Sequence, residues 1–300
     1  MDYGKCFLPG GYFDETGQLH KEVELAALSG REEELLLSTA GRGGAVQVTA
    51  VLSRCIKRLG TFTSIDDELT RRLLVGDRRY LMLKLRELTF GGRVQATVTC
   101  PWPDCGGGVD VSFNIPDIPI KDAQLIAPVH ELALAAGTQE SPVKILFRLP
   151  AGADQEAMSD REEDNEAMLL SRLLWRCIER IDDNPAPTLE QVHALPSQTR
   201  RQIEQRMQAL APDVELTMEA ECPECQRDFT VPFDIQEFFF GELKTSRELL
   251  RREIHYLAYH YHWSEREILS FTRNKRRAYI DVLVEEIEYI NQRAQSRAAS

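Results

Sequence analysis

No stretch of this 300-residue chain approaches the roughly 18 consecutive apolar residues that a membrane helix requires. The start, Met1-Asp2-Tyr3-Gly4-Lys5, has no basic segment leading into an apolar run. No secretory signal is therefore expected, and the protein is expected to fold in a cytoplasm. Catalytic motifs are also missing. Gly41-Arg42-Gly43-Gly44 lacks the Lys-Ser/Thr ending of a phosphate loop, and no His-Glu-x-x-His, Gly-x-Ser-x-Gly or dinucleotide fingerprint occurs. Carboxylates come as helix-surface runs such as Glu32-Glu33-Glu34 and Glu162-Glu163-Asp164. An enzyme is not expected.

Positive charge is short as well. The 36 Lys+Arg against 48 Asp+Glu leave a net charge of −12, which argues against a nucleic-acid binder, because phosphate contacts need clustered Lys and Arg. Residues 241–300 carry 11 basic and 9 acidic side chains, so the acidity sits in residues 1–240. Such a body is a solvated acidic shell or a surface for a basic partner. Hydrophobic residues make up 43% and recur throughout, enough for a real core.

Sliding the chain against itself by 122 residues brings Arg54-Cys55-Ile56-Lys57-Arg58 onto Arg176-Cys177-Ile178-Glu179-Arg180. The same shift brings Arg78-Arg79 onto Arg200-Arg201, Leu88 onto Leu210, and Cys100-Pro101 onto Cys222-Pro223. After a two-residue shortening, Cys105 meets Cys225 and Val111–Ile115 meets Val231–Ile235. The pattern reads as an internal duplication. Each copy opens with a helix, around Val46–Leu59 and Glu162–Ile181, by apolar spacing. Short helices follow, with Ser64 and Thr188 as expected N-caps and Asp67 and Gln191 three residues on. Helices over Arg78–Leu88 and Gln198–Leu210 then lead to strands Val94–Thr99 and Val214–Ala220, each climbing to a Cys-Pro turn.

Outside the repeat, Cys6–Leu28 reads as strand, turn and strand, with Asp14–Gly17 turning and Ser29 with Glu32 boxing a short helix. Strands are expected at His130–Leu134 and Val143–Leu149, joined by a loop containing Gly137, with Ala151–Asp160 as linker. Helices are expected over Glu237–Tyr261, from Ser264 with Glu267, and over Ala278–Gln295, where Ile280, Leu283, Ile287 and Ile290 form a stripe. This C-terminal region is most simply packed against the second module.

The expected fold class is α+β and mostly helical: a duplicated helix-plus-β-hairpin module joined by a four-cysteine zinc ribbon, with a C-terminal helical region. The expected divisions are 1–40 for the N-terminal hairpin and helix, 41–120 for the first module and 121–160 for the connector. The second module takes 161–236, and 237–300 is the C-terminal helical region.

Seven cysteines, an odd number without a signal peptide, read poorly as a disulfide framework. Cys100-Pro101-Trp102-Pro103-Asp104-Cys105 and Cys222-Pro223-Glu224-Cys225 have the C-x2–4-C spacing of structural zinc sites. A tight turn lets two thiolates converge, and two turns supply the closed tetrahedral shell of a single structural Zn2+. The alternatives are metal-free knuckles, or a redox C-x-x-C, which should open a helix, whereas Cys225 leads into a strand. Cys55 and Cys177 read as buried small hydrophobes, and Cys6 has no assignable role.

His255, His260 and His262 alternate with aromatics, but a spacing of five between His255 and His260 is off the i, i+4 ligand register, so an aromatic helix surface is the better reading. Phe238-Phe239-Phe240 covers most of a helix circumference and is either an interface anchor or intramolecularly covered. The run Arg273-Asn274-Lys275-Arg276-Arg277 is a solvated helix start or a contact for an acidic partner. Phe238, Phe239, Phe240, Arg276 and Arg277 are the candidate partner-binding residues.

Several segments carry a family resemblance. At the N-terminus these are Leu8-Pro9-Gly10-Gly11-Tyr12, Asp14-Glu15-Thr16-Gly17, His20, Glu22-Val23-Glu24-Leu25 and Leu28 through Leu35. Further on they are Cys222-Pro223-Glu224-Cys225, Phe229, Val231-Pro232-Phe233-Asp234, Phe238-Phe239 and Glu242-Leu243. The last are Trp263-Ser264-Glu265, Ile268-Leu269, Arg276-Arg277 and Tyr279. Together they resemble the T-even-type baseplate protein family, often described as baseplate hub assembly chaperones, of phages and contractile injection systems. The resemblance covers both ends and most of the C-terminal half. It implies a non-enzymatic assembly factor whose partners are baseplate, hub or spike proteins, with no membrane and no nucleic acid. A structural component retained in the particle is the alternative, and a zinc-ribbon nucleic-acid-binding regulator a further one. The family supplies no catalytic residues.

Overall fold

The computed structural model describes residues 3–38, 43–134, 143–159, 166–215, 217–245 and 247–298, and it mixes helices with short antiparallel strands. The Gly137 loop and the run Glu162-Glu163-Asp164 lie outside the described residues. In chain order, β1 (Tyr3–Phe13) and β2 (Leu19–Ala26) form a hairpin. Its turn is held by the Asp14 carboxylate, which accepts from the Thr16 and Gln18 N–H groups. Then come α1 (Gly30–Ser38), α2 (Gly44–Cys55), β3 (Ile56–Leu59), α3 (Asp67–Arg72) and α4 (Val75–Phe90). The strands β4 (Arg93–Thr99) and β5 (Gly108–Asn114) make the first cysteine-tipped hairpin, and β6 (Ile120–Lys121) follows.

The order then recurs. The strands β7 (Val129–Leu134) and β8 (Val143–Arg148) form a hairpin, followed by α5 (Gly152–Ser159), α6 (Glu166–Cys177), β9 (Ile178–Ile181) and β10 (Asn184–Pro185). Next are α7 (Leu189–His193), α8 (Ser197–Leu210) and β11 (Asp213–Val214), which pairs with β6. The second cysteine-tipped hairpin is β12 (Thr217–Glu221) with β13 (Asp228–Pro232). The chain closes with α9 (Ile235–Thr245), α10 (Arg247–Tyr261), α11 (Glu265–Leu269) and α12 (Arg273–Ala298).

The recurrence extends to register. In the first sheet Val23 faces Leu59, Glu24 faces Arg58 and Leu25 faces Ile56, with an irregularity between Glu24 and Leu25. In the second, Ile145 faces Ile181, Leu146 faces Arg180 and Phe147 faces Ile178, with the irregularity between Leu146 and Phe147. Every residue of the second set lies 122 positions after its counterpart. The hairpins β1–β2 and β7–β8, which the sequence left outside the repeat, therefore occupy matching places.

The two opening helices are shorter than their apolar spacing suggests. Each ends at a cysteine, and the apolar residues beyond it, Ile56–Leu59 and Ile178–Ile181, are β-strands. Helical periodicity cannot see this switch, because β-branched residues at 56 and 178 suit either state until a hairpin edge is there to pair with. The first short helix is capped by Asp66, which accepts from the Leu69 N–H, and not by Ser64. Thr188 and Ser264 form full capping boxes with Gln191 and Glu267. The expected linker at Ala151–Asp160 is the helix α5 as far as Ser159. Its polar side chain Asp154 is fully buried, accepting from Arg148, Arg176 and the Ala151 N–H.

Side chains gather into three apolar clusters among the described residues. The first joins the β1–β3 sheet to α2, α4 and α9 and includes Leu8, Leu25, Leu52, Leu81 and Phe239. The second joins the β7–β9 sheet to α6 and α8 through Phe147, Leu174, Ile178 and Ile203. Each fully buried Leu or Phe contributes about 1.5–3 kcal/mol. The C-terminal region packs on the first unit and not the second: α9 lies on α4 and α1, and α10 and α11 touch α1. The third cluster is small, with Cys100, Val109, Cys222 and Phe229 buried between the two cysteine-tipped hairpins.

Candidate metal centre

The tips of β4–β5 and β12–β13 meet. Cys100 Sγ lies 3.8 Å from Cys225 Sγ, and Cys105 Sγ lies 3.7 Å from Cys222 Sγ, so each close pair spans the two hairpins. All four sulfurs lie within 4.8 Å of one another. Disulfides are excluded at these separations, since that bond is about 2 Å long. Four thiolates held at about 2.3 Å around a tetrahedral dication would stand about 3.8 Å apart, the separation of the two pairs that span the hairpins. Closed coordination of this kind leaves no position for water, and such an ion stabilises without catalysing.

Local backbone builds each half in the same way. The Cys100 N–H donates to Gly107 O (2.8 Å), and the Cys222 N–H donates to Arg227 O (3.1 Å). The residue after each second cysteine sits in the left-handed region, Gly106 at φ 63° and Gln226 at φ 57°. Glycine takes that conformation freely, while Gln226 carries a cost of about 1 kcal/mol. Cys100 and Cys222 are buried, and Cys105 and Cys225 are half-buried. Around them Arg227 pairs with Asp104 (2.6 Å) and lies 4.8 Å from the centre of the Trp102 ring, a second link between the hairpins.

The thiols compete for charge. Desolvation raises Cys225, but the N–H and guanidinium of Arg227 and the neighbouring thiols outweigh it and bring the group to about 7. At Cys105 the Gly107 N–H pulls the other way, yet desolvation and the three adjacent sulfurs push it up to about 12. A bound dication would relieve that repulsion and favour four thiolates. Cys6 and Cys177 are pushed up to about 11 and about 12 by burial, and Cys55 is raised for the same reason. As buried thiols with raised pKa values, they are poor nucleophiles.

The remaining candidate residues lie elsewhere. Phe239 and Phe240 are buried in the first cluster, and Phe238 packs partly against it. Arg276 is fully buried, donating to Glu33 and Glu253, while Arg277 is exposed. His255 and His260 are exposed on α10, stacked on Tyr259 and Tyr256 respectively. Two buried polar anchors escaped the sequence. Asp77 accepts from the Gly10 and Gly11 N–H groups (2.7 and 2.9 Å), and Arg78 donates to Thr49, Thr70 O and Ala45 O. The signal for the second was the recurring Arg-Arg pair.

The molecule is thus a mixed helix-and-strand protein whose two hairpin tips bring four cysteines within metal-binding distance of one another. The sequence profile described as T4 bacteriophage base plate protein matches residues 13–240, and the chain belongs to that family. No curated protein and no solved structure matches it.

Proposed function

We propose that this protein is a non-enzymatic assembly factor, a chaperone for the baseplate or hub of a contractile phage tail or phage-tail-like injection system. In this reading it acts in the cytoplasm of the producing cell. It binds baseplate, hub or spike subunits and covers surfaces that those subunits later bury against one another. Family membership supports the baseplate context. The observation that carries the binding role is the middle of α12, where Val282, Val284, Tyr289 and Ile290 stay exposed on a 26-residue helix. A helix about 39 Å long with uncovered apolar side chains suits a partner surface.

One Zn2+ held by Cys100, Cys105, Cys222 and Cys225 is the structural cofactor of this reading. The third apolar cluster is too small to fix two hairpins by itself, and the ion would supply the missing free energy. Duplication of one ancestral module accounts for the 122-residue recurrence of elements and register. The test is genetic and analytical together. Deleting the gene in the producing host should leave tails without completed baseplates, while purified mature particles lack this chain. Its stoichiometric presence in mature particles would instead make it a retained baseplate component.

A further inference from the structure

One arrangement occurs three times along the chain, and two of its three occurrences are filled. A short helix capped by Asp66, Thr188 or Ser264 precedes α4, α8 or α12 respectively, and the fourth residue of each longer helix is Arg78, Arg200 or Arg276. Each arginine reaches past the short helix to the helix before it, α2, α6 or α10. Arg78 donates to Thr49 Oγ1 (2.9 Å), and Arg200 donates to Ser171 Oγ (2.6 Å) at the position 122 residues on. Arg276 donates to Glu253 (2.8 Å).

The first arginine socket is filled by α5. The Gly152 N–H donates to Leu73 O (3.0 Å), Ala151 bridges to Leu74, and Glu156 takes bonds from Thr49 and Arg71. The Gly152 backbone lies on the guanidinium, since a Cβ there would come within 2.3 Å of Arg78 Nη1. The third socket is filled by α1 in the same manner. The Gly30 N–H donates to Phe271 O (3.2 Å), Ser29 bridges to Thr272, and Glu33 takes both bonds from Arg276 Nη2. Both occupants share one design. A small residue is followed by glycine, and an acid three positions after the small residue accepts its N–H: Glu32 for Ser29, Asp154 for Ala151.

The second socket has no such helix among the described residues. Among the described residues, Leu195 O, the counterpart of Leu73 O and Phe271 O, receives no backbone hydrogen bond, Arg200 Nε is buried without a partner, and no carboxylate pairs with Arg200. Arg78 and Arg276 are fully buried, whereas Arg200 is half-buried, with Pro196, Ser197 and Gln198 exposed. We infer that the groove of α6, α7 and α8 around Arg200 docks a short helix of another protein. That helix begins small residue–Gly–x–Asp/Glu and carries a further carboxylate within its first two turns. A second copy of this chain is a poor donor, because its own α1 and α5 are already engaged. The inference rests on the socket geometry and stands apart from the assembly role.

The probe is a lactam-stapled peptide with the sequence of residues 149–159, titrated into the full-length 15N-labelled protein. Preorganisation removes much of the ordering cost of a free peptide. The expected result is saturable shifts confined to Ser171 and residues 192–200. Replacing the peptide glycine with valine should abolish them, and Arg200→Met should weaken binding at least roughly tenfold, as loss of a charged hydrogen bond does. No shifts in that region, shifts that the valine peptide reproduces, or a free protein already dimeric through this groove would each overturn the proposal. The valine control leaves the protein unchanged, so a folding defect in the Arg200 variant does not decide the outcome.

Discussion

Arg276 donates from Nη2 to both carboxylate oxygens of Glu33, at 2.9 and 3.0 Å, and the two buried side chains lie 243 residues apart in sequence. This pair ties the C-terminal helices to α1 and so to the first apolar cluster. Desolvation raises the Glu33 carboxyl in spite of the attraction of Arg276, which marks how dry the contact is. Replacing Glu33 with Gln leaves a buried guanidinium short of one charge partner, with Glu253 remaining. The expected loss is about 3 kcal/mol in urea denaturation. A Glu33→Leu, Arg276→Met double variant should recover much of it, because both desolvation penalties go together.

Gly152 has room for no side chain. Gly152→Ala should push Arg78 off Thr70 O and Ala45 O and cost about 2–4 kcal/mol, from strain together with unsatisfied polar groups. The same substitution at Gly241, where an added Cβ meets nothing within 4 Å, should not destabilise. Thermal melts of the two variants side by side check the contrast.

Asp77 sets a pH dependence. Burial raises its carboxyl to about 7 against the opposing pull of the Gly10 and Gly11 N–H groups and Lys21. An acid raised on folding favours the native state while it is protonated in both states, near pH 4 and below. That contribution falls away as pH rises through about 7. Denaturant midpoints measured from pH 5.5 to 8.5 should therefore carry a component that declines up to about pH 7, levels off above it, and is removed by Asp77→Asn. An identical slope in both proteins contradicts it.

Metal removal separates a cage from a coincidence of thiols. The protein as isolated should hold one zinc per chain by elemental analysis. Cys222→Ser should lose it and loosen the hairpin pair, at a cost of several kcal/mol. Retention of one equivalent of zinc with wild-type stability would refute the shared four-cysteine site.

Tyr289→Ser with Ile290→Ser tests the free face of α12. Both side chains are exposed, so stability should change by less than about 0.5 kcal/mol. Affinity for the baseplate partner should fall at least tenfold, the effect of removing an aromatic anchor from an interface.

The cysteine hairpins, the hairpin turn at Asp14–Gly17 and the capping boxes at Thr188 and Ser264 were legible in the sequence, because each depends on residues close along the chain. What escaped depended on distant partners. The strands at Ile56 and Ile178 exist because hairpin edges 31 to 36 residues earlier are there to pair with them. Polar α5 read as a linker because its buried carboxylate Asp154 is satisfied by Arg148 and Arg176, which belong to β8 and α6. Arg276 looked like a solvated basic residue, and only the fold brings Glu33 to it. The Arg-Arg pairs at 78, 200 and 276 were visible, but their common role lies in what docks against them.

The most direct test of the assembly account is the amount of this chain in purified mature particles, quantified by mass spectrometry against the baseplate subunits of the same preparation. An assembly factor should be absent from finished particles while present in baseplate subassemblies from the same cells. Stoichiometric recovery from finished particles would contradict it and make the protein a structural part of the baseplate.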